Sequence, residues 1–384
     1  MKPIDYNMVI ENDYELEIYQ NLTDDIINFL RRNGATKFNA LVRYVGGSDR
    51  RMLRLLDQMV KNKVLQYKNQ HFILENTPEP KIKQIDILCP TCHGLVVNPD
   101  FFSHSQIDFL DKVIKSRPTT TFIFDQRPVT LNTTLRRAAY MAWRGDLQNQ
   151  DIAVLGDDDL TSVAIALTGF AKSVTVFDVD KRLIDFISET SIKNNLKIQC
   201  RILDVTQDIP SDMLSSFDVF TTDPTPTKIP FTVFVNTGIK LLRETGIGYL
   251  SFYSSAMKLT SDLQEVLSSM KLIITDLIPF FTEYAFVNET FSRSDHKLLE
   301  KYSDGISDMC FYEHLCRTVK TKETRTIQLT YEMNDMFGKA TKRSLENLGS
   351  DPAITGKTNQ DYLINIAKTI NRDIHKKIKS GEQQ

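Results

Sequence analysis

Ile152-Ala-Val-Leu-Gly156-Asp157-Asp158-Asp159-Leu160 is the stretch on which the reading of this chain turns. Its apolar start predicts a buried strand, Gly156 a tight turn, and the pattern from Ser162 to Phe170 a helix, which together make the first βα turn of a doubly wound sheet. In the phosphate-binding form of such a turn, repeated glycines let backbone N–H groups and the helix N-terminus hold an anion. Three consecutive carboxylates would repel phosphate. The ligand expected here is therefore cationic: a sulfonium, an amine or a metal ion. A single Asp is enough to cap a helix. Three in a row exceed that need.

Outward from this turn the chain alternates strand and helix. Strand 152–156 leads to helix 162–170, strand Val174–Phe177 to helix 181–193, and strand 198–203 follows. Strand Phe217–Thr222, helix 231–243 and strand Gly248–Tyr253 continue the pattern, and Leu272–Phe281 with Asp308–Thr318 are expected to close the sheet as an antiparallel edge pair. The fold class is thus α/β, with a doubly wound Rossmann-like sheet. Upstream, 118–127 reads as β-rich and Leu131–Trp143 as a helix leading into this core.

Acidic residues recur at the carboxyl end of each of the first four core strands: Asp157 to Asp159, Asp178 with Asp180, Asp204, and Asp223. In an open α/β sheet the ligand crevice lies outside those ends, so the series is expected to converge on one cleft. Asp178, about 20 residues beyond the glycine turn, is placed for ribose hydroxyls. Asp204, one strand on, is placed for the exocyclic amine of adenine, whereas Asp180 and Asp208 read as turn or cap residues. Asp223-Pro224 forces a sharp exit that aims a carboxylate inward, where it can hold or deprotonate an amine nucleophile. Carboxylates crowded in one cleft raise each other's pKa, which leaves one available as a base toward an ammonium. Phe177, Tyr249, Phe252 and Tyr253 are aromatic candidates for facing a cation.

Residues 15–75 read as a compact helical module. Helices at Ile18–Leu30, Phe38–Tyr44 and after Ser48 are followed by a hairpin of Val64–Tyr67 and His71–Leu74, the winged helix-turn-helix pattern. Arg50, Arg51, Arg54, Lys61, Lys63 and Lys68 on its third helix and wing open DNA contact as an alternative. Cys89-Pro-Thr-Cys92 can supply two corners of a structural zinc site, but a second ligand pair is missing at any standard spacing. The expected domains are a winged-helix-like unit over 1–76, a linker, knuckle and hairpin region over 77–130, a Rossmann-like catalytic domain over 131–335, and a polar, partly helical tail over 336–384.

A length of 384 residues with 41% hydrophobic content allows a large core, and the net charge of −2 announces neither a nucleic-acid nor a membrane partner. The first residues lack a basic leader running into an apolar stretch, and no segment approaches the ~18 apolar residues of a membrane span. With an odd count of five cysteines, reduced thiols and cytoplasmic residence are expected.

The segments Gly156-Asp-Asp-Asp-Leu-Thr-Ser162, Phe177-Asp-Val-Asp180, Asp204 and Phe217-Asp-Val-Phe-Thr-Thr-Asp223-Pro224, behind a winged-helix module and a Cys-x-x-Cys segment, resemble the branched-chain polyamine synthases. These are aminopropyltransferases also called N4-bis(aminopropyl)spermidine synthases. The resemblance implies a homodimeric enzyme with a methyltransferase-type Rossmann domain. Such an enzyme moves the aminopropyl group of decarboxylated S-adenosylmethionine, a co-substrate and not a resident cofactor, to the secondary amine of spermidine and releases methylthioadenosine.

By position, it implies Asp158, Asp159 and Asp223 as catalytic. Asp157 becomes substrate-binding, joined by Tyr253 as a cation-facing aromatic and by Asp125 and Gln126, whose segment Phe124-Asp-Gln126 resembles the hairpin that covers the donor in linear spermidine synthases. Gly156, Asp178, Val179, Asp204 and Val205 become donor-binding. Where the family usually continues Asp-Pro-Pro, this chain reads Asp223-Pro-Thr-Pro-Thr227, so the loop that shapes the acceptor pocket differs. The alternatives are an S-adenosylmethionine-dependent methyltransferase, whose donor carboxylate the acidic turn should repel unless a basic residue compensates, and a winged-helix DNA-binding regulator.

Overall fold

The computed structural model describes residues 13–46, 49–75, 92, 94–120, 124, 126–253, 257–284, 293–302 and 311–330. The chain divides into two compact units, one of Met1–Val96, Phe252–Gln264 and Leu277–Leu315, the other of Val97–Ser251, Glu265–Asp276 and Cys316–Gln384.

The first unit opens with α1 (Asp13–Asn33), α2 (Phe38–Val45) and α3 (Asp49–Lys61), followed by the antiparallel pair β1 (Leu65–Lys68) and β2 (His71–Leu74). Gly34, at φ 72°, takes the left-handed conformation that stops α1, and its N–H donates to the Leu30 carbonyl at 2.8 Å. Helical spacing buries Leu22, Ile26, Leu41, Met52, Leu56 and Met59 against Phe72 of the hairpin. A later helix, α10 (Arg293–Tyr302), joins this core through Leu299 and Tyr302. It also takes Arg54 of α3 in a two-point pair with Asp295, at 2.7 and 2.8 Å. The Tyr302 hydroxyl donates to Asp57 at 2.8 Å. Ser48, the expected cap of α3, and the linker after residue 76 lie outside the described residues.

The second unit carries α4 (His104–Ser116), α5 (Leu131–Trp143) and the doubly wound core: β3 (Asp151–Leu155), α6 (Thr161–Leu167), β4 (Ser173–Asp178), α7 (Lys181–Lys193), β5 (Ile198–Ile202), β6 (Phe217–Thr222) and α8 (Lys228–Leu241). The long strand β7 (Leu242–Tyr253), α9 (Met257–Ser269), β8 (Ile273–Tyr284) and β9 (Phe311–Val319) follow in sequence, their residues divided between the two units. The seven-stranded sheet runs β5-β4-β3-β6-β7-β9-β8. β3 pairs in parallel with both β4 and β6, and β4–β5 and β6–β7 are also parallel. The chain steps outward from β3 to β5 and then returns to β6 on the other side of β3. That reversal opens a crevice at the carboxyl ends of β3 and β6.

Several boundaries differ from the sequence reading. β7 starts at Leu242, not Gly248, because a register shift between Phe217 and Val219 lets both Leu242 and Ile247 pair with β6. The helix before it therefore ends at Leu241. The described part of 118–127 contains no strand. Its polar groups and those just after it serve side chains instead, with the Thr119 carbonyl accepting from Arg182 and the Val129 N–H donating to Asp159. The two late strands are present at the sheet edge, with β9 inserted between β7 and β8. Cys89, His93, Cys310 and the tail from 331 onward, including its expected helix, lie outside the described residues. Among the described residues no helix is long and apolar enough to cross a membrane.

Candidate active site

At the crevice beside β3 lies an open cavity whose empty space, bulk solvent at its mouth included, is about 890 Å³. Asp158, Asp178, Asp204 and Asp223 line it, one from the end of each of β3, β4, β5 and β6. Gly156, Val179, Val205, Thr206 and Gln126 add polar and backbone surface. Phe124, Phe177, Leu203, Pro224, Pro230 and Phe234 form apolar walls. Its described lining thus holds four carboxylates and no Lys or Arg. Such a wall favours cations and disfavours any anionic ligand.

The turn itself is built backwards from the helix it starts. Gly156 sits at φ 72°, which allows the chain to leave β3 sharply under Phe234. Asp157 is 1% exposed and accepts from the Ser162 N–H at 3.2 Å, and its own N–H donates to Asp178 at 3.1 Å. It therefore steadies the start of α6 from behind the cavity wall, while the sequence reading assigned it to substrate. Leu160, fully buried, takes the left-handed conformation at φ 55° to turn the chain into α6. A bulky residue in that region is strained by ~1 to 2 kcal/mol, and strain of this kind gathers at functional sites.

Asp158 is the member of the triplet that faces the cavity, and its Oδ2 has no hydrogen-bond partner. Asp159 is buried and fully engaged, accepting from the Val129 N–H at 2.9 Å and from Arg137 at 2.6 Å. Arg137, on α5 and only 5% exposed, also donates to Asp223 at 2.5 Å and to the Ser251 hydroxyl at 2.8 Å. Arg117 donates to the Asp158 carbonyl at 2.6 Å.

Burial dominates the acid–base character of this cluster. It pushes Asp157 up to about 8 and, with the charges of Asp159, Asp178 and Asp223, holds Asp158 well above the usual carboxylate range against the opposing pull of Arg117. Asp159 rises to about 6 through burial, opposed by Arg137 and reinforced by Asp223. Burial also takes Asp178 to about 6, although the N–H groups of Asp180 and Asp157 donate to its carboxylate.

The remaining positions divide. Asp204 lines the cavity but spends one oxygen on the Thr206 N–H and hydroxyl, at 2.9 and 2.6 Å. Gln126 lines it as well and donates to Asp180 at 3.1 Å. Asp180 caps α7 by accepting from the Arg182 N–H at 3.0 Å, as its turn position predicts. Of the aromatic candidates, Phe177 faces the cavity, whereas Tyr249 is buried in a hydrogen bond to Asp146. Asp125, Cys89 and the Tyr253 side chain lie outside the described residues, and the described Cys92 is a free, half-buried thiol.

Sequence reasoning missed Arg137, Arg117, Ser251 and Phe234. Only Arg137 carried a signal. It sits three residues after Thr134 and four before Met141, both fully buried, so a charged residue stands on the helix face turned to the core.

A family model described as the branched-chain polyamine synthase A C-terminal domain matches residues 107–355. An N(4)-bis(aminopropyl)spermidine synthase of Thermococcus kodakarensis is 38% identical over 213 residues, 53% of this chain and 60% of that protein. A protein of the same name from Thermus thermophilus is 32% identical over 216 residues, 55% of this chain and 62% of its own length. The matches therefore span little more than half the length of these relatives. A crystal structure of a branched-chain polyamine synthase mutein from Thermus thermophilus, in complex with N4-aminopropylspermidine and 5′-methylthioadenosine, superposes with a TM-score of 0.68 at 22% identity. It covers 86% of this chain and 99% of that one, a likeness of fold.

Proposed function

The chain belongs to the branched-chain polyamine synthase family, and from that premise we propose that it is an aminopropyltransferase, moving the aminopropyl group of decarboxylated S-adenosylmethionine to an amine of a polyamine, with the secondary amine of spermidine as acceptor. The single observation that carries this reading is the cavity wall of four strand-end carboxylates without a described cationic side chain. A donor that has lost its carboxylate keeps a sulfonium and an ammonium, and its acceptor is a polycation. Both partners suit such a wall.

In this reading Asp178 takes the ribose hydroxyls and Asp204 the adenine amine, with Gly156, Val179 and Val205 contacting the nucleoside through backbone and methyl groups. Asp158, Asp159 and Asp223 surround the reacting end. Asp157 serves the acceptor indirectly through the turn it braces, and Asp125, Gln126 and Tyr253 close the substrate side.

The acceptor ammonium gives its proton to a carboxylate, and the freed lone pair forms the N–C bond. The C–S bond breaks, and its electrons leave sulfur neutral in methylthioadenosine. Alignment of nitrogen, carbon and sulfur supplies much of the rate in such a displacement, and no metal or redox group is called for.

The first module is read as a winged helix over 1–76 in a homodimeric, cytoplasmic enzyme. Engagement of Arg54 by Asp295 argues against α3 reading DNA, since a two-point ion pair occupies a guanidinium that a groove would need.

Mass spectrometry after incubation with decarboxylated donor and a panel of linear polyamines tests the reading. A mass gain of one or two aminopropyl groups with release of methylthioadenosine is the expected result. Tighter binding of intact S-adenosylmethionine, with methyl transfer, would replace it with a methyltransferase.

A further inference from the structure

Arg137 is a cation buried behind an acidic cavity, and its contacts reach two different strand ends. One guanidinium nitrogen donates to Asp159, beyond β3, at 2.6 Å, and the other to Asp223, beyond β6, at 2.5 Å. The Ser251 hydroxyl on β7 and packing on α5 hold the planar group in register, with the Arg137 and Asp159 side chains 6% and 5% exposed. The Val129 N–H fixes the other Asp159 oxygen at 2.9 Å. Asp158, next to Asp159 in sequence, lines the cavity, and its buried Oδ2 has no hydrogen-bond partner.

We propose that Arg137 is the positioning residue of this site. It anchors Asp159 and Asp223 as a fixed, singly negative unit and so leaves Asp158 as the carboxylate that accepts the proton of the ammonium nucleophile. The inference rests on the aminopropyl-transfer reading and deepens it by dividing roles among carboxylates that the sequence presents as equivalent. In the step assigned, an acceptor N–H proton passes to Asp158 Oδ2, the nitrogen lone pair forms the N–C bond, and the C–S electrons return to sulfur.

A guanidinium suits this task because its fork spans two carboxylates, which a lysine ammonium on a flexible stem does not. The charged groups acting on Asp158 and Asp159 are each other, Asp178, Asp223, Arg117 and Arg137. Removing Arg137 takes away the cation paired with Asp159, and that buried carboxylate then holds a proton to higher pH.

The test uses the full chain with R137M and R137K. The acidic limb of kcat/KM for spermidine is expected to move up by about one pH unit or more in R137M. R137K should fall between R137M and the parent, and kcat should drop at least about tenfold in R137M. Methylthioadenosine binding by calorimetry should stay within about twofold, because Asp178 and Asp204, read as the ribose and adenine contacts, follow β4 and β5. An acidic limb in R137M that coincides with the parent, or no intermediate position for R137K, overturns the proposal. If R137M does not fold, R137K alone carries the test, and a coincident limb again overturns it.

Failure of the underlying reading shows separately, as a parent chain that transfers no aminopropyl group. Melting temperature against pH then still decides the clamp. The decline caused by ionising Asp159 must extend to higher pH in the variants, and superimposable profiles defeat it.

Discussion

Asp157, Asp159 and Asp178 hold protons more tightly in the folded chain than at the ordinary carboxylate value of 3.8, with Asp157 near 8 and the other two near 6. A raised acid makes the folded state bind more protons than the unfolded one, so stability falls as pH rises above about 4. The fall continues to about 6 for Asp159 and Asp178 and to about 8 for Asp157. Melting temperature against pH should show that decline, and D157N should flatten its upper part, because Asn keeps the oxygen that accepts from Ser162 without a charge to bury. A flat profile in the parent chain would contradict these shifts. D158N is expected to lower turnover at least about a hundredfold while leaving methylthioadenosine binding nearly intact, the mark of a lost proton acceptor. The carboxylates were legible in the sequence because Asp is conspicuous after a strand and glycine. Their different surroundings were not, since burial and the reach of Arg137 decide which of three adjacent acids lines the cavity.

Elements are locked together by close approach as much as by hydrogen bonds. The Phe220 ring of β6 is wedged between Gly238 of α8 and Gly248 of β7, where an added Cβ would stand 2.4 Å and 2.6 Å from ring atoms. Phe220 is fully buried, so it has little room to give. G248A should lower stability by about 1 to 3 kcal/mol through overpacking, measured by denaturant unfolding. At α7, Asp180→Ala removes the cap and should reduce stability by about 1 kcal/mol. Strands β3 to β6 and their helices could be read from sequence because a buried parallel strand is a short apolar run and an amphipathic helix has its own period. The start of β7 could not, because a pairing shift against β6 fixes it.

For the whole molecule, residues 277–315 belong with the first unit although they follow the doubly wound core in sequence. Leu299 and Tyr302 of α10 pack in the same core as Leu41 and Met52. A fragment beginning at residue 97 would therefore expose apolar side chains of α10, and it is expected to bind a hydrophobic dye or precipitate, read by fluorescence and light scattering. Duplex DNA binding should be weak and unchanged when Arg50, Arg51 and Arg54 are replaced, and a salt-dependent loss of affinity in that variant would restore the regulator reading.

What the sequence determined by itself was the alternation of strand and helix and the acidic residue at each strand end, from which a cationic ligand is expected. Hydrophobic period and the outward direction of strand ends are local consequences of backbone geometry. What only the tertiary structure decided was the buried cation behind the acids, the strand order that places β9 between β7 and β8, and the return of α10 to the first unit. Each of these joins residues far apart in the chain, and no local pattern records such a contact.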